Sequence, residues 1–119
     1  MEAEKWLEKA EKDMDDAKFN FMHERFEVAA FLAHQAAEKA LKSLYIKKFK
    51  RLWKIHDLTR LAQKVNAPKK VIIACDSLNP HYIETRYPLD VTYTRDMTEE
   101  AIDCASLVIE WVKKRLKKG

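Results

Sequence analysis

A row of polar side chains on the second predicted helix carries groups that can transfer protons and bind phosphate. The row consists of His34, Gln35, Glu38, Lys39 and Lys42, which lie three or four residues apart and so share one side of a helix. A histidine can move a proton, and a lysine can bind an anionic oxygen. The same row also suits a solvated face with Glu38–Lys42 and Gln35–Lys39 pairs, so the sequence leaves two interpretations open.

Two further polar groups, His56-Asp57 and Arg86-Tyr87, lie at the predicted ends of helices. A pocket of His, Arg and Lys side chains with a tyrosine ring for stacking suits an anionic, aromatic ligand. We therefore predict a nucleotide or phosphate site formed by Lys39, Lys42, His56, Arg86 and Tyr87, with Gln35, Glu38 and Asp57 as orienting residues. In the structural alternative, Arg86 pairs with an acid such as Glu38, His56 bonds a backbone carbonyl and Tyr87 merely packs.

Several other kinds of chemistry are not expected. The four histidines are scattered without a repeated ligand spacing, so we predict no metal site and no cofactor. The chain has no internal glycine for a phosphate-cradling loop or a nucleophile elbow. Cys75 and Cys104 fall in apolar helical patterns and are expected to be small buried hydrophobes. His23 and His81 are expected to be plain surface residues.

The elements that must position these residues are all predicted to be helical. The only glycine is residue 119 and there are three prolines, which leaves little of the turn chemistry that β folds need. Apolar periodicity predicts helices over residues 2–22 and 24–50, a short third helix capped by Asp57, and a fourth from Pro68 to Tyr82. A long loop follows over residues 83–97, and Thr98 is expected to cap the last helix. Residues 1–119 thus form one predicted all-α domain, an up-and-down helical bundle of four to five helices.

Charge and apolar exposure bear on location and partners. The net charge is +4, and residues 42–54 hold six basic side chains and no acid, while residues 113–118 hold five. Such patches could attract phosphate-bearing partners or simply keep the domain solvated. Phe19 lies off the apolar stripe of the first helix, so it is exposed or contacts another chain. No membrane-length apolar stretch or signal-like N-terminus is visible, so a cytoplasmic protein is expected.

The order of these segments resembles the HEPN (higher eukaryotes and prokaryotes nucleotide-binding) domain family along nearly the whole chain. The matching segments are Trp6 with Ala10 and Asp13, then His34-Gln35-Ala36-Ala37-Glu38-Lys39-Ala40-Leu41-Lys42, His56-Asp57-Leu58, Tyr82-Ile83-Glu84-Thr85-Arg86-Tyr87-Pro88 and the closing helix around Trp111-Val112. The resemblance implies a helical bundle that forms homodimers. It also implies a frequent partnership with a minimal nucleotidyltransferase in toxin–antitoxin-like systems and, in many members, ribonuclease activity.

The ribonuclease pattern that the resemblance implies is an arginine followed four to six residues later by a histidine in a late helix. Arg86 is the late arginine here, and no histidine follows it within residues 87–92. The same spacing does occur at Arg51 and His56, before the third helix. A histidine could take a proton from the ribose 2′-hydroxyl while an arginine holds the phosphate. His56, Arg51 and Arg86 are therefore the catalytic candidates.

The sequence favours a homodimeric HEPN module that binds nucleotide or RNA, rather than an enzyme. Two alternatives stay open: a metal-independent HEPN endoribonuclease toxin and a structural adaptor without a ligand.

Overall fold

The computed structural model describes residues 2–87 and 91–118, and its regular structure is helical throughout this part of the chain. The helices are α1 Ala3–Met22, α2 Phe26–Phe49, α3 Leu58–Lys64, α4 Lys69–Leu78, α5 Pro80–Glu84 and α6 Arg95–Lys117. The predicted all-α bundle is confirmed. Five of these helices correspond to the predicted ones, and the one-turn α5 is additional.

The central helix is α2, which packs against the other five helices of the described chain. Its alanines make this possible, because a methyl side chain lets neighbouring backbones approach closely. No solvent reaches six of them: Ala29, Ala30, Ala33, Ala36, Ala37 and Ala40. A single cluster of buried apolar side chains from α1, α2, α3, α4 and α6 forms the core around this helix.

The ends of α3 and α6 are set by side-chain caps. Asp57 accepts hydrogen bonds from the backbone N–H groups of Thr59 and Arg60, as predicted for the start of α3. The predicted cap of the last helix was wrong. Thr94, not Thr98, accepts a bond from the Met97 N–H, so α6 begins four residues earlier than predicted. Thr98 is buried, and its hydroxyl donates to the Thr94 carbonyl at 2.8 Å.

The predicted fourth helix is divided at Asn79 into α4 and α5. Pro80 has no N–H to continue the hydrogen-bond ladder and becomes the first residue of α5. The Asn79 side chain accepts from the Leu58 N–H at 2.8 Å and donates to Asp57 at 3.0 Å. The Asn79 side chain therefore joins the start of α3 to the start of α5. His56 directly precedes the first of these, and Tyr82 lies in the second.

Three tight connections use residues with positive φ although none of them is glycine. Glu24, Lys50 and Asn66 each have a φ of 59°, in the left-handed region. They follow the ends of α1, α2 and α3, where glycine is the usual residue.

The outer surface carries several apolar side chains near the turn between α1 and α2. Phe19, Met22 and Val28 are 61%, 78% and 47% exposed. The predicted exposure of Phe19 is confirmed. Within residues 2–87 and 91–118, every helix is too short or too polar to cross a bilayer.

Candidate functional site

The centre of the site is the carboxylate of Glu38, in the middle of α2. Its side chain is only 7% exposed, and it lies 2.9 Å from the Lys42 ammonium and 3.0 Å from Nδ1 of His56. His34 on the same helix lies 4.0 Å away through its own Nδ1. Glu38 thus joins α2 to the segment that precedes α3. When Nδ1 of His56 donates to the Glu38 carboxylate, the other ring nitrogen, Nε2, is available for a hydrogen bond to a ligand.

The ring of Tyr82, on α5, contacts two of the predicted site residues. The His56 imidazole stacks on it with centroids 4.2 Å apart and planes 16° apart. The Arg86 guanidinium lies over the same ring, 4.6 Å from its centre. The Arg86 side chain forms no ion pair with any residue of the described ranges. The His56 and Arg86 side chains thus both lie against the ring of Tyr82.

His34 lies beneath this surface, fully buried, with its ring 5.3 Å from that of Tyr82. Burial lowers the pKa of His34, although the nearby Glu38 carboxylate acts in the opposite direction. Its Nδ1 atom lies 3.2 Å from the Gln35 side-chain oxygen. Its Nε2 atom is buried and has no hydrogen-bond partner within the described residues.

The lysines of the α2 row are both neutralised. Lys42 is buried and donates to Glu38, which confirms that predicted pair, while Lys39 donates to Asp13 of α1. The predicted Gln35–Lys39 pair was wrong, because Gln35 faces His34 instead. The interpretation of the row as a solvated face was wrong as well, since His34, Glu38 and Lys42 are buried. The two lysines therefore balance one buried acid, Glu38, and one half-buried acid, Asp13, and the exposed positive charge of the site comes from Arg86.

The other predicted residues lie outside this cluster. Arg51 lines a separate cavity with Phe49 and Trp53, so it does not join His56 as a catalytic pair. Asp57 orients His56 only through the backbone, by capping α3. Tyr87 is 54% exposed. The Tyr87-Pro88 turn and the long loop include residues 88–90, which lie outside the described residues. The alternative pair of Arg86 with Glu38 is not formed, because the Glu38 carboxylate lies against His56 and Lys42 instead.

The sequence interpretation gave Tyr82 no role in the site. One signal was available, since Tyr82 stands four residues before Arg86 and side chains at that spacing meet on a helical turn. His81 was wrongly expected to be a plain surface residue. Its Nδ1 lies 2.6 Å from the Tyr93 hydroxyl, and burial lowers its pKa. This bond attaches the segment before α6 to α5.

The cysteines and carboxylates give no metal cluster within the described ranges. Cys75 is buried, as predicted, and burial raises its pKa to about 12, which keeps it a thiol. Cys104 is half-buried, and burial raises its pKa as well.

The site offers a cation, an aromatic face and an oriented imidazole at one surface. Arg86 can donate two parallel hydrogen bonds to a phosphate, and the aromatic rings can stack on a base. The histidine, held by Glu38, can also accept or deliver a proton.

Comparison with known proteins places this geometry in a family. No curated protein is significantly similar in sequence. Among solved structures, TT1696 from Thermus thermophilus superposes with a TM-score of 0.87 at 31% identity, over 94% of this chain and 96% of that one. An archaeal HEPN homologue, ST0689, gives 0.82 at 29% identity over 97% and 98% of the chains. A HEPN domain protein from Thermotoga maritima, at 18% identity, gives 0.78 over 96% and 98%, which shows the shared fold. The HEPN domain profile matches residues 3–116, and the chain belongs to the HEPN domain family.

Proposed function

We propose that this protein is a homodimeric HEPN module that binds a nucleotide or a phosphate-bearing end of RNA at the surface formed by His56, Tyr82 and Arg86. The observation that carries the proposal is the single ring of Tyr82, against which both the imidazole and the guanidinium lie. A phosphate would meet Arg86, whose charge no described acid neutralises, and a base would stack beside it.

A fluorescent ATP analogue titrated into the purified protein tests this proposal. We expect saturable binding, and we expect Arg86→Ala to weaken it at least tenfold, because the phosphate loses its charged donor. Arg95→Ala is the matched control, since that guanidinium also lies over aromatic rings, those of Phe21 and Phe26, on another part of the molecule. Absence of saturable binding, or equal losses in the two variants, contradicts the proposal.

A second candidate function, metal-independent RNA cleavage, is favoured by the bond between Glu38 and His56. A carboxylate that holds Nδ1 leaves Nε2 poised as a general base, with Arg86 nearby to stabilise the phosphorane charge. The test is cleavage of a labelled RNA in the presence of a chelator, together with growth arrest on expression. His56→Ala should abolish both and His23→Ala should not. If the His56 variant is as active or as toxic as the parent, this function is excluded.

The proposal extends to a cytoplasmic partnership with a minimal nucleotidyltransferase in a toxin–antitoxin-like system. Membership in the HEPN family supports this partnership. A nucleotidyltransferase gene next to the gene for this chain would encode the partner protein. Co-expression of the two proteins should give a complex that survives gel filtration and relieves any growth arrest. If charge substitutions at His56 and Arg86 change neither ligand binding nor growth, the chain acts as a structural adaptor.

A further inference from the structure

The two basic runs of the chain meet at one end of the bundle. The Lys47 ammonium donates to the Leu116 carbonyl of α6 at 3.2 Å, and Lys48 donates to the Lys64 carbonyl of α3 at 3.0 Å. The ends of α2, α3 and α6 therefore converge there. Their dipoles place partial negative charge at these ends, which the lysines offset.

Most of the positive charge at this end has no acidic partner within the described residues. The ion pairs of residues 2–87 and 91–118 include none of seven cations: Lys47, Lys48, Lys50, Arg51, Arg60, Lys64 and Arg115. A cavity of about 390 Å³ lies among four of them, Lys47, Lys48, Lys50 and Arg115, over an apolar floor of Leu44 and Val65. No acid lines it. This contrasts with Lys39 and Lys42, which are neutralised.

An adjoining cavity of about 490 Å³ adds aromatic rings to the cations. Tyr45 packs against Phe49 at 4.5 Å and against Trp53 at 5.3 Å between ring centres. The Arg60 guanidinium lies 5.2 Å above the Trp53 ring, and Arg51 and Lys64 complete the lining. Phe49 is 36% exposed and Trp53 is half-buried, and the Lys48 ammonium lies 5.2 Å from the centre of the Phe49 ring. A base that stacks on either ring therefore takes the place of the Lys48 or the Arg60 side chain. In the part of the chain that the structure describes, the lining of this cavity again includes no acid.

We infer that this end of the bundle binds single-stranded nucleic acid, with phosphates against Arg51 and Lys64 and bases on the rings of Phe49 and Trp53. Cations that follow a backbone, interleaved with aromatic faces, are the usual chemistry of such sites. An acidic peptide would use the cations but not the rings. The surface is separate from the Glu38 carboxylate that binds His56, because Glu38 and Phe49 are eleven residues apart on α2, about 16.5 Å along its axis.

Anisotropy with fluorescein-labelled oligo(U) and oligo(dT) tests the inference. We expect saturable, salt-dependent binding and at least a tenfold loss in Arg51→Ala/Lys64→Ala. The slope of log affinity against log salt should become shallower by about 1.4, because two phosphate contacts are lost. Lys18→Ala/Arg25→Ala removes the same charge from exposed positions outside these two cavities and should have little effect. Tighter binding of oligo(U) identifies RNA as the ligand, and tighter binding of oligo(dT) identifies DNA. Binding of neither, or equal losses in the two variants, overturns the inference.

A second measurement separates base stacking from charge alone. In a Trp6→Phe/Trp111→Phe background, the emission of Trp53 should be quenched by oligo(U) but not by inorganic polyphosphate, which has no bases. Equal binding of polyphosphate with unchanged emission overturns the stacking role. Arg51→Ala/Lys64→Ala should abolish oligonucleotide binding while it leaves binding of the ATP analogue unchanged, because neither residue lies in the His56–Arg86 site. Failure of one site is therefore distinguishable from failure of the other.

Discussion

Glu38 balances the charge of the buried residues around it. Its side chain is 7% exposed and that of Lys42 is 6% exposed, so both ions are largely removed from water. Removing one member of such a pair leaves a buried charge without compensation, whereas removing both costs much less.

We therefore predict that Glu38→Gln destabilises the protein by about 3 kcal/mol. The double variant Glu38→Gln/Lys42→Met should recover most of this loss, because the methionine fills the same space without a charge. Urea denaturation followed by circular dichroism gives both values. A double variant that is less stable than the single variant would contradict this account.

His34 predicts how stability depends on pH. Its pKa is lowered in the folded protein, so the unfolded chain binds more protons as the pH falls through about 6.5. Stability is therefore fully present above this pH and decreases below it. We expect the melting temperature to fall between pH 7.5 and 5.5, and His34→Gln to reduce that fall. His23→Gln, at an exposed position, is the control and should reproduce the parent profile.

At the scale of residues, the sequence could predict contacts within a helix better than contacts between helices. The Glu38–Lys42 pair follows from a spacing of four residues. Lys39, in contrast, pairs with Asp13, which is 26 residues away on α1 and gives no local signal. The joining of His56 and Arg86 through Tyr82 also depends on tertiary packing between α5 and the segment before α3.

At the scale of elements, apolar periodicity predicted α1, α2 and α3 closely, whereas the start of α6 was misplaced. Thr98-Glu99-Glu100 has the composition of a helix start, but Thr98 is buried and bonds the Phe26 carbonyl of α2 at 3.4 Å. Packing against α2 thus extends α6 by another turn, which Thr94 begins. The division of α4 from α5 was missed because Asn79 keeps helical dihedral angles across it.

The capping role of Thr94 can be measured directly. Thr94→Ala removes the acceptor of the Met97 N–H and should cost about 1 kcal/mol of stability. Thr92→Ala, an exposed position before the helix, is the control. Denaturant unfolding of the two variants should separate them by that amount. An equal stability would mean that water replaces the cap without loss.

At the scale of the whole molecule, the exposed apolar side chains near the turn between α1 and α2 are the surface on which we expect homodimerisation. Phe19, Met22 and Val28 lie close together in the chain around this turn, and burial of such side chains stabilises association. We predict that light scattering gives twice the chain mass of 14.0 kDa and that Phe19→Asp/Val28→Asp gives a monomer.

The control is Ile73→Asp, because Ile73 is 54% exposed but lies on α4. A parent protein that remains monomeric at high concentration contradicts the prediction. So does a Phe19→Asp/Val28→Asp variant that remains dimeric.

The residues with left-handed backbone conformations after α1, α2 and α3 are positions at which a substitution to glycine should raise thermal stability. Glu24 and Lys50 have β-carbons that oppose a φ of 59°, whereas Asn66 is of a type that tolerates it. Glu24→Gly or Lys50→Gly should raise stability by roughly 0.5–1 kcal/mol, after the greater freedom of glycine in the unfolded chain is subtracted. Asn66→Gly should gain less, and calorimetry would rank the three. The only glycine of the chain is its last residue, so glycine is used at none of these three positions. Replacing Glu24 and Lys50 with glycine should therefore make the protein more stable to heat.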